Sequence, residues 1–373
     1  MRWAARTVAL GAAVVVLVLI LVLVFRPSHV HERPYVVPAG TPARYVSPSG
    51  SDNGPGTATR PWRTLAKAVH DAQPGETVVF APGTYGARGK ELKWTASGTP
   101  QNPITFEGDP NGKPPVILGY NRVEASHLRI RRMSFVGPTG PVHSASADNP
   151  GGEDVLVWLV GSDIAIENSE LADSHGHAGV YVTGNDVRLV ANYIHDNGFF
   201  SNPAEANLDQ GIYWGGGSSG LIANNLIVHN LTNGIQLYPR SNDVVVEQNT
   251  LVGNGKSGVI IGQDATGNLV TNNIIADNAA DAVRSYILTG SRNVVANNVV
   301  WNNGDGNIGS NAAGLTLIGN IEADPKFVGD GRYELKTGSP AIGRATRTAT
   351  MIPYDIVGVA RGSQPDVGAY QSK

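Results

Sequence analysis

A chain of 373 residues with 46 glycines, 23 prolines and only 16% charged residues is long enough for one large domain, and repeats lengthen a domain without a second core. The formal net charge of −3 excludes a general attraction to nucleic acid or to anionic membrane surfaces. The absence of cysteine excludes a disulfide framework and thiolate metal sites.

In chain order, the first element is Thr7–Phe25, 19 uncharged residues rich in Val and Leu between Arg6 and Arg26. That length suits a membrane span and exceeds the apolar core of a usual signal peptide. Residues 1–26 are therefore read as a single-pass anchor with the rest of the chain outside the cytoplasm. A cleaved signal peptide is the alternative. Residues 27–44 carry Pro27, Pro34, Pro38 and Pro42 and read as an extended stalk.

The folded domain is expected over 45–373, with an N-terminal cap over 45–100, coils over 101–322 and a C-terminal cap over 323–373. Ser47 to Thr57 is turn chemistry throughout. Leu65, Ala68, Val69 and Ala72 then recur at helical spacing, with Thr64 as N-cap and Pro74-Gly75 as the stop. A solenoid exposes its core at each end, and this helix is assigned to the N-terminal end.

From Ser162 to Asn303 one phrase recurs: a turn residue, a short apolar strand, an Asn, and an apolar residue two places on. The anchors are Ser169, Asn192, Asn225, Asn249, Asn273, Asn298 and Asn320, with gaps of 23, 33, 24, 24, 25 and 22 residues. A fixed period in this range marks a solenoid. Each coil of about 24 residues holds three short strands and rises about 4.8 Å, so equivalent residues stack. The predicted fold is all-β, a single-stranded parallel β-helix with three strands per coil. The anchors form an internal amide ladder without chemistry of its own. Asp163, Asp186, Asp243, Asn268 and Asn293 are read as turn residues.

Tyr45-Val46-Ser47-Pro48-Ser49-Gly50-Ser51-Asp52, Arg60-Pro61-Trp62-Arg63-Thr64-Leu65, Gly75-Glu76-Thr77-Val78 and Pro82-Gly83-Thr84-Tyr85 together resemble the opening of right-handed parallel β-helix proteins. That superfamily includes pectate lyases, chondroitinases and alginate-modifying enzymes. The Asn-x-Ile repeats resemble those of mannuronan epimerases and periplasmic β-helix proteins. Asp324-Pro325-Lys326-Phe327, Gly338 to Ile342 and Asp366 to Tyr370 resemble the closing segment of such domains. The resemblance spans Tyr45 to Tyr370 and implies a right-handed coil and a polysaccharide or cell-surface glycan as partner. It does not choose a chemistry, because one scaffold hosts many functions. The aspartate-proline-histidine-aspartate signature of mannuronan epimerases is absent.

Candidate site residues are those that break the repeat. Aligning coils on Gly179-Val180, Gly211-Ile212, Gly234-Ile235, Gly258-Val259 and Ala282-Val283 places Tyr181, Tyr213, Gln236, Ile260 and Arg284 in one outward row. A second row holds His177, Asp209, Thr232, Lys256 and Ala280, and a third Tyr238 and Tyr286. Two insertions, Phe199–Asn207 and Gly137–Gly152, are expected to wall a cleft. Lyases and epimerases of uronic acids need a base for the proton α to the carboxylate and a cation or metal for the resulting charge. The catalytic candidates are Lys256, Arg284, Asp209, His177 and Tyr213. The substrate-binding candidates are Tyr181, Gln236, Tyr238, Arg240, Tyr286 and His195. A hydrolase reading pairs Asp209 with Asp196 or Glu205. A metal reading uses His175, His177, His195 and His229, or calcium at Asp173, Asp196 and Asp277. Against all of these stands a non-catalytic β-helix that binds glycan or scaffolds an envelope assembly.

Overall fold

The computed structural model describes residues 43–137, 155–174, 176–198, 209–308 and 312–372. The segment Thr7–Phe25, nearly all of the stalk, both predicted insertions apart from Gly137, and residues His175 and Glu205 lie outside them. Among the described residues no helix is long and apolar enough to cross a membrane.

The repeat phrase folds into parallel strands that stack coil on coil into three flanks. Among the described residues sheet 1 has eleven strands, from Ala43–Val46 through Ile164–Glu167 to Leu315–Ile318. Sheet 2 continues Ser134–Val136 through Glu170–Ala172 and Tyr193–His195 to Ile321–Glu322. Sheet 3 runs from Val157–Leu159 through Val180–Val182 and Ile212–Trp214 to Val283–Tyr286. The long strand Val116–Val123 joins sheets 2 and 3, pairing Val116 to Ser134 at one end and Val123 to Leu159 at the other. It turns the corner at Gly119, where φ is +92° and an added Cβ would lie 2.5 Å from the Ala87 carbonyl. Three strands per coil is thus the observed architecture.

The core is the lumen. The apolar residues three before each anchor (Ile166, Leu189, Ile222, Val246, Val270, Val295) and two after it (Leu171, Ile194, Ile227, Leu251, Ile275, Val300) are all buried in one cluster. Burying each contributes about 1.5–3 kcal/mol. The predicted helix forms as α1, Leu65–Asp71, with the Thr64 side chain accepting from the Lys67 N–H and with Leu65, Ala68 and Val69 in the core.

Polar ladders close the corners. Between sheets 1 and 2, each anchor amide donates to the next anchor's Oδ1 and back to a strand carbonyl; Asn249 Nδ2 reaches Asn273 Oδ1 at 2.9 Å and Ile222 O at 2.8 Å. A second ladder, which the repeat reading did not identify, runs five residues further on between sheets 2 and 3: Asn197, Asn230, Asn254, Asn278 and Asn303. The residue before each asparagine turns the chain through the left-handed region, as at Ala191, Gln248 and Asp277. Asp163, Asp186 and Asp243 are turn residues of this kind, with φ near +54°. Asn268 and Asn293 are not. They are fully buried, and Asn268 Nδ2 donates to Asn293 Oδ1 at 2.9 Å in a short third ladder.

The segment after Glu322 lies along the sides of the coils. Ile352 and Tyr354 pack on the outer face of sheet 1 against Val190, Leu221 and Val245. Ala341 and Val367 pack on sheet 2 against Leu226, Ile274 and Val299. Arg361 ties this segment down, donating to Asn224 Oδ1 at 2.8 Å and to the Gly368 carbonyl at 2.7 Å. Beneath it Glu247 is fully buried and accepts from the Thr348 hydroxyl. Burial pushes its carboxyl above the usual range, against the opposing pull of that bond and of Arg361 and Arg188.

Two predictions follow from these interiors. Asn249→Ala removes four hydrogen bonds and leaves buried partners unpaired. It is expected to cost about 2–4 kcal/mol, read as a lower urea midpoint, whereas Asn320→Ala at the half-buried ladder end costs less. For Glu247, a folded-state value above the unfolded one gives stability that is full below the unfolded value and lost as pH rises through the folded one. Glu247→Gln should therefore melt higher than the parent near neutral pH and lose that advantage at about pH 4. A difference that does not vary with pH would refute a buried neutral carboxyl.

Candidate functional site

Strand alternation decides what sheet 3 shows to solvent. Val157, Leu159, Val180, Val182, Ile212 and Trp214 point into the lumen and are buried, so the residues between them point outward. The pairing register aligns Arg122, Trp158, Tyr181, Tyr213, Gln236, Ile260 and Arg284 in one column along the solenoid axis. The predicted row is this column, extended at its start by Arg122 and Trp158.

The early part of the column is a continuous stack. The Arg122 guanidinium sits 4.3 Å from the Trp158 ring centre. Trp158 lies 5.4 Å from Tyr181, and Tyr181 stacks on Tyr213 at 5.0 Å with 18° between planes. Trp158 Nε1 donates to Thr183 Oγ1 at 3.0 Å. Gly215 makes room, since a Cβ there would lie 2.7 Å from the Tyr181 ring. Rings stacked face to face use their faces on one another and offer edges and hydroxyls outward. Tyr213 is 7% accessible. Burial, then the neighbouring Tyr181 and Tyr238, push its hydroxyl above the usual phenol range. It stays protonated at neutral pH and can donate a proton or hydrogen bond, not act as a phenolate base.

Further along, Gln236 Oε1 accepts from Gln210 Nε2 at 2.9 Å and Asn233 Nδ2 at 3.0 Å, which orients its amide. Tyr238 and Tyr286 approach to 5.9 Å with Gly262 between them, and Tyr286 is 44% accessible. Arg240 is exposed in the turn after Tyr238-Pro239.

The second predicted row is held by backbone bonds. Thr232 N donates to Asp209 O at 3.0 Å, Lys256 N to Thr232 O at 2.9 Å and Ala280 N to Lys256 O at 3.0 Å. His177 and Asp209 are buried, and Lys256 is half-buried. Beside this row runs another that the sequence reading missed: Gln210, Asn233, Ser257 and Asp281, all buried and joined through Gly211, Gly234 and Gly258. Its signal was a polar residue immediately before Gly211, Gly234, Gly258 and Ala282. Lys256 and Arg284 are one coil apart and at most about 13 Å apart along the strand direction. Two long cationic side chains from those positions can flank one sugar unit.

Other candidates lie elsewhere. His195 stands on sheet 2, not on sheet 3. Its Nδ1 is 2.7 Å from Asp196 Oδ2 and its Nε2 is 3.2 Å from Glu170 Oε1, and its ring stacks on Tyr193 at 3.7 Å. Burial opposes charge on this imidazole, but the bonds to the two carboxylates outweigh it and the net shift is upward. Asp173, Asp196 and Asp277 occupy the left-handed corner between sheets 2 and 3, with φ of 55°, 52° and 53°. Asp277 Oδ1 accepts from Asn302 Nδ2 at 2.7 Å. Among the described residues no three His, Asp or Glu side chains are grouped so as to hold a metal ion.

Two solved structures share this architecture. The structure of pectate lyase Pel9A superposes with a TM-score of 0.63 at 17% identity, over 89% of this chain and 96% of that one. A rhamnogalacturonan lyase superposes with a TM-score of 0.56 at 14% identity, over 87% and 95%. At these identities the likeness is one of fold. Among curated proteins, the uncharacterized YwoF of Bacillus subtilis (strain 168) is 29% identical over 164 residues, 44% of this chain and only 30% of that protein's length. The family described as Pel9A-like, right handed beta helix region, matches residues 44–327. The three-flanked coil with its amide ladders is thus a right-handed parallel β-helix of the pectate-lyase-like superfamily, and the chain belongs to the Pel9A-like family.

Proposed function

We propose that the outer face of sheet 3 is the active surface of an enzyme acting on an acidic polysaccharide, by elimination or epimerisation at a uronic acid. The observation that carries this reading is the division of labour between flanks. The closing segment packs over sheets 1 and 2, whereas sheet 3 keeps accessible, chemically capable side chains in register, Arg284 and Tyr286 among them.

In this reading the Arg284 guanidinium pairs with the substrate carboxylate and stabilises the negative charge that develops when the α proton leaves. Lys256, in its neutral form, takes that proton. For elimination, the C–H electrons form the new double bond as the bond from the β carbon to the glycosidic oxygen breaks, and the leaving oxygen takes a proton. Tyr213, held protonated, is a donor of the right kind for it. For epimerisation, a proton returns to the opposite face instead. Asp209, with its row neighbour His177, orients the sugar or the base. Gln236, Tyr181, Tyr238, Tyr286 and Arg240 contact flanking units. The segment Thr7–Phe25 tethers the domain outside the cytoplasm, and calcium is the cation to test at the uronate.

The purified protein should form unsaturated uronates, or change the uronate epimer ratio, on at least one of polygalacturonate, rhamnogalacturonan, alginate and glucuronan. Lys256→Ala should lower kcat by about 10²–10⁴-fold with KM little changed, and Arg284→Ala should also raise KM. Assays with chelator and with added calcium measure the metal requirement. Unaltered turnover in Lys256→Ala would remove it as the base. No turnover on the whole set, with glycan binding retained, would replace the enzyme by a binding scaffold.

A further inference from the structure

The outward column of sheet 2 changes character part-way along the solenoid. Its later members, Leu226, Thr250, Ile274 and Val299, are covered by the closing segment, three through apolar packing and Thr250 by accepting from the Ala369 N–H. Gly368 allows the close approach, since a Cβ there would lie 2.6 Å from Ile274 Cδ1. The earlier members, Ser134, Glu170 and Tyr193, are polar or aromatic and lie beyond that cover. Ile356 of the closing segment stands at this change, lining the same cavity as Glu170 and Tyr193.

At that boundary is a cavity of about 280 Å³ whose lining includes Pro114, Met133, Ser134, Glu170, Tyr193 and Ile356. Ligand sites run from about 300 Å³ upward, so this one suits a single sugar ring. Glu170 in this lining is held in place: Ser134 donates to its Oε2, and its Oε1 faces Nε2 of His195, which stands behind the lining with its Nδ1 facing Asp196. Burial opposes charge on this imidazole, but a carboxylate at each ring nitrogen favours it and the net shift is upward. The group is not a nucleophilic triad, because the Ser134 hydroxyl is bonded to Glu170 and not to the histidine. Tyr193 rests on the His195 ring, yet 37% of it remains accessible. Burial, then Asp196 and Glu170, push its hydroxyl upward.

We infer that this cavity is a second glycan subsite, separate from sheet 3, and that it takes an amine-bearing pyranose. The Tyr193 ring supplies an aromatic surface for the sugar and for its ammonium group. The Glu170 carboxylate, which has lone pairs beyond its bonds to Ser134 and His195, supplies negative charge and acceptors for ammonium and hydroxyl donors. The same negative charge disfavours a uronate, the sugar for which Lys256 and Arg284 are suited. The inference does not rest on the proposed lyase chemistry.

Tetraglucosamine, cellotetraose and tetragalacturonate are titrated into the full-length protein by isothermal calorimetry, with saturation-transfer NMR to identify the contacted sugar. Tetraglucosamine should bind, and Tyr193→Ala and Glu170→Gln should each weaken it at least tenfold. Lys256→Ala should leave it unchanged. Tyr193→Phe should retain binding, and an unshifted melting temperature for Glu170→Gln separates lost contact from lost fold. The proposal is overturned if tetraglucosamine does not bind, if its affinity survives both Tyr193→Ala and Glu170→Gln, or if cellotetraose or tetragalacturonate binds this site as tightly.

Discussion

Every level of this structure depends on the corner asparagines. A chain that winds three short strands per coil must turn sharply at each corner, and every turn leaves backbone groups facing a lumen packed with apolar side chains. Each ladder amide resolves this by accepting from the preceding coil's anchor and donating both to the next anchor and to a strand carbonyl, as Asn225 accepts from Asn192 and donates to Asn249 Oδ1 and Leu189 O. The left-handed residue before each one makes the turn tight enough for the amide to reach. Two ladders run nearly the length of the repeat and a third is short, so two corners are held much more uniformly than the third.

Once the corners hold, lateral position becomes a column property. Residues in equivalent places stand about 5 Å apart down the axis, and each column must tolerate its own repetition. Asparagine on asparagine is favourable, and so is tyrosine on tyrosine, as at Tyr181 and Tyr213. Like charges are not, and the charged column of sheet 1 alternates Glu107, Arg131 and Glu167, with Arg131 Nε 2.9 Å from Glu107. The stacking that builds an aromatic column also consumes the ring faces. This redirects Tyr181 and Tyr213 from platforms toward edge and hydroxyl contacts. The closing segment then assigns the flanks: it covers the apolar parts of sheets 1 and 2, leaves an aromatic, titratable patch on sheet 2 beyond its reach, and leaves the cationic row to sheet 3.

Much of this was legible before the coordinates. The spacing from Ser169 to Asn320 placed the lumen residues, the first ladder and the row from Tyr181 to Arg284, because in a solenoid each coil contacts only its neighbours. The second ladder is equally present in the spacing, five residues after each anchor from Asn197 to Asn303. His195 was misleading. Its sequence neighbourhood is the same coil as Tyr181, but the strand it occupies faces another flank.

The sequence alone therefore determined what stacks on what, since register in a coil is local and repeats with the period. Only the tertiary structure decided which flank is covered and which is open. That depends on pairings such as Arg361 with Asn224, 137 residues apart, and Thr348 with Glu247, 101 apart. No period encodes them, because they arise from the side-to-side fit of a non-repeating segment onto the finished coil.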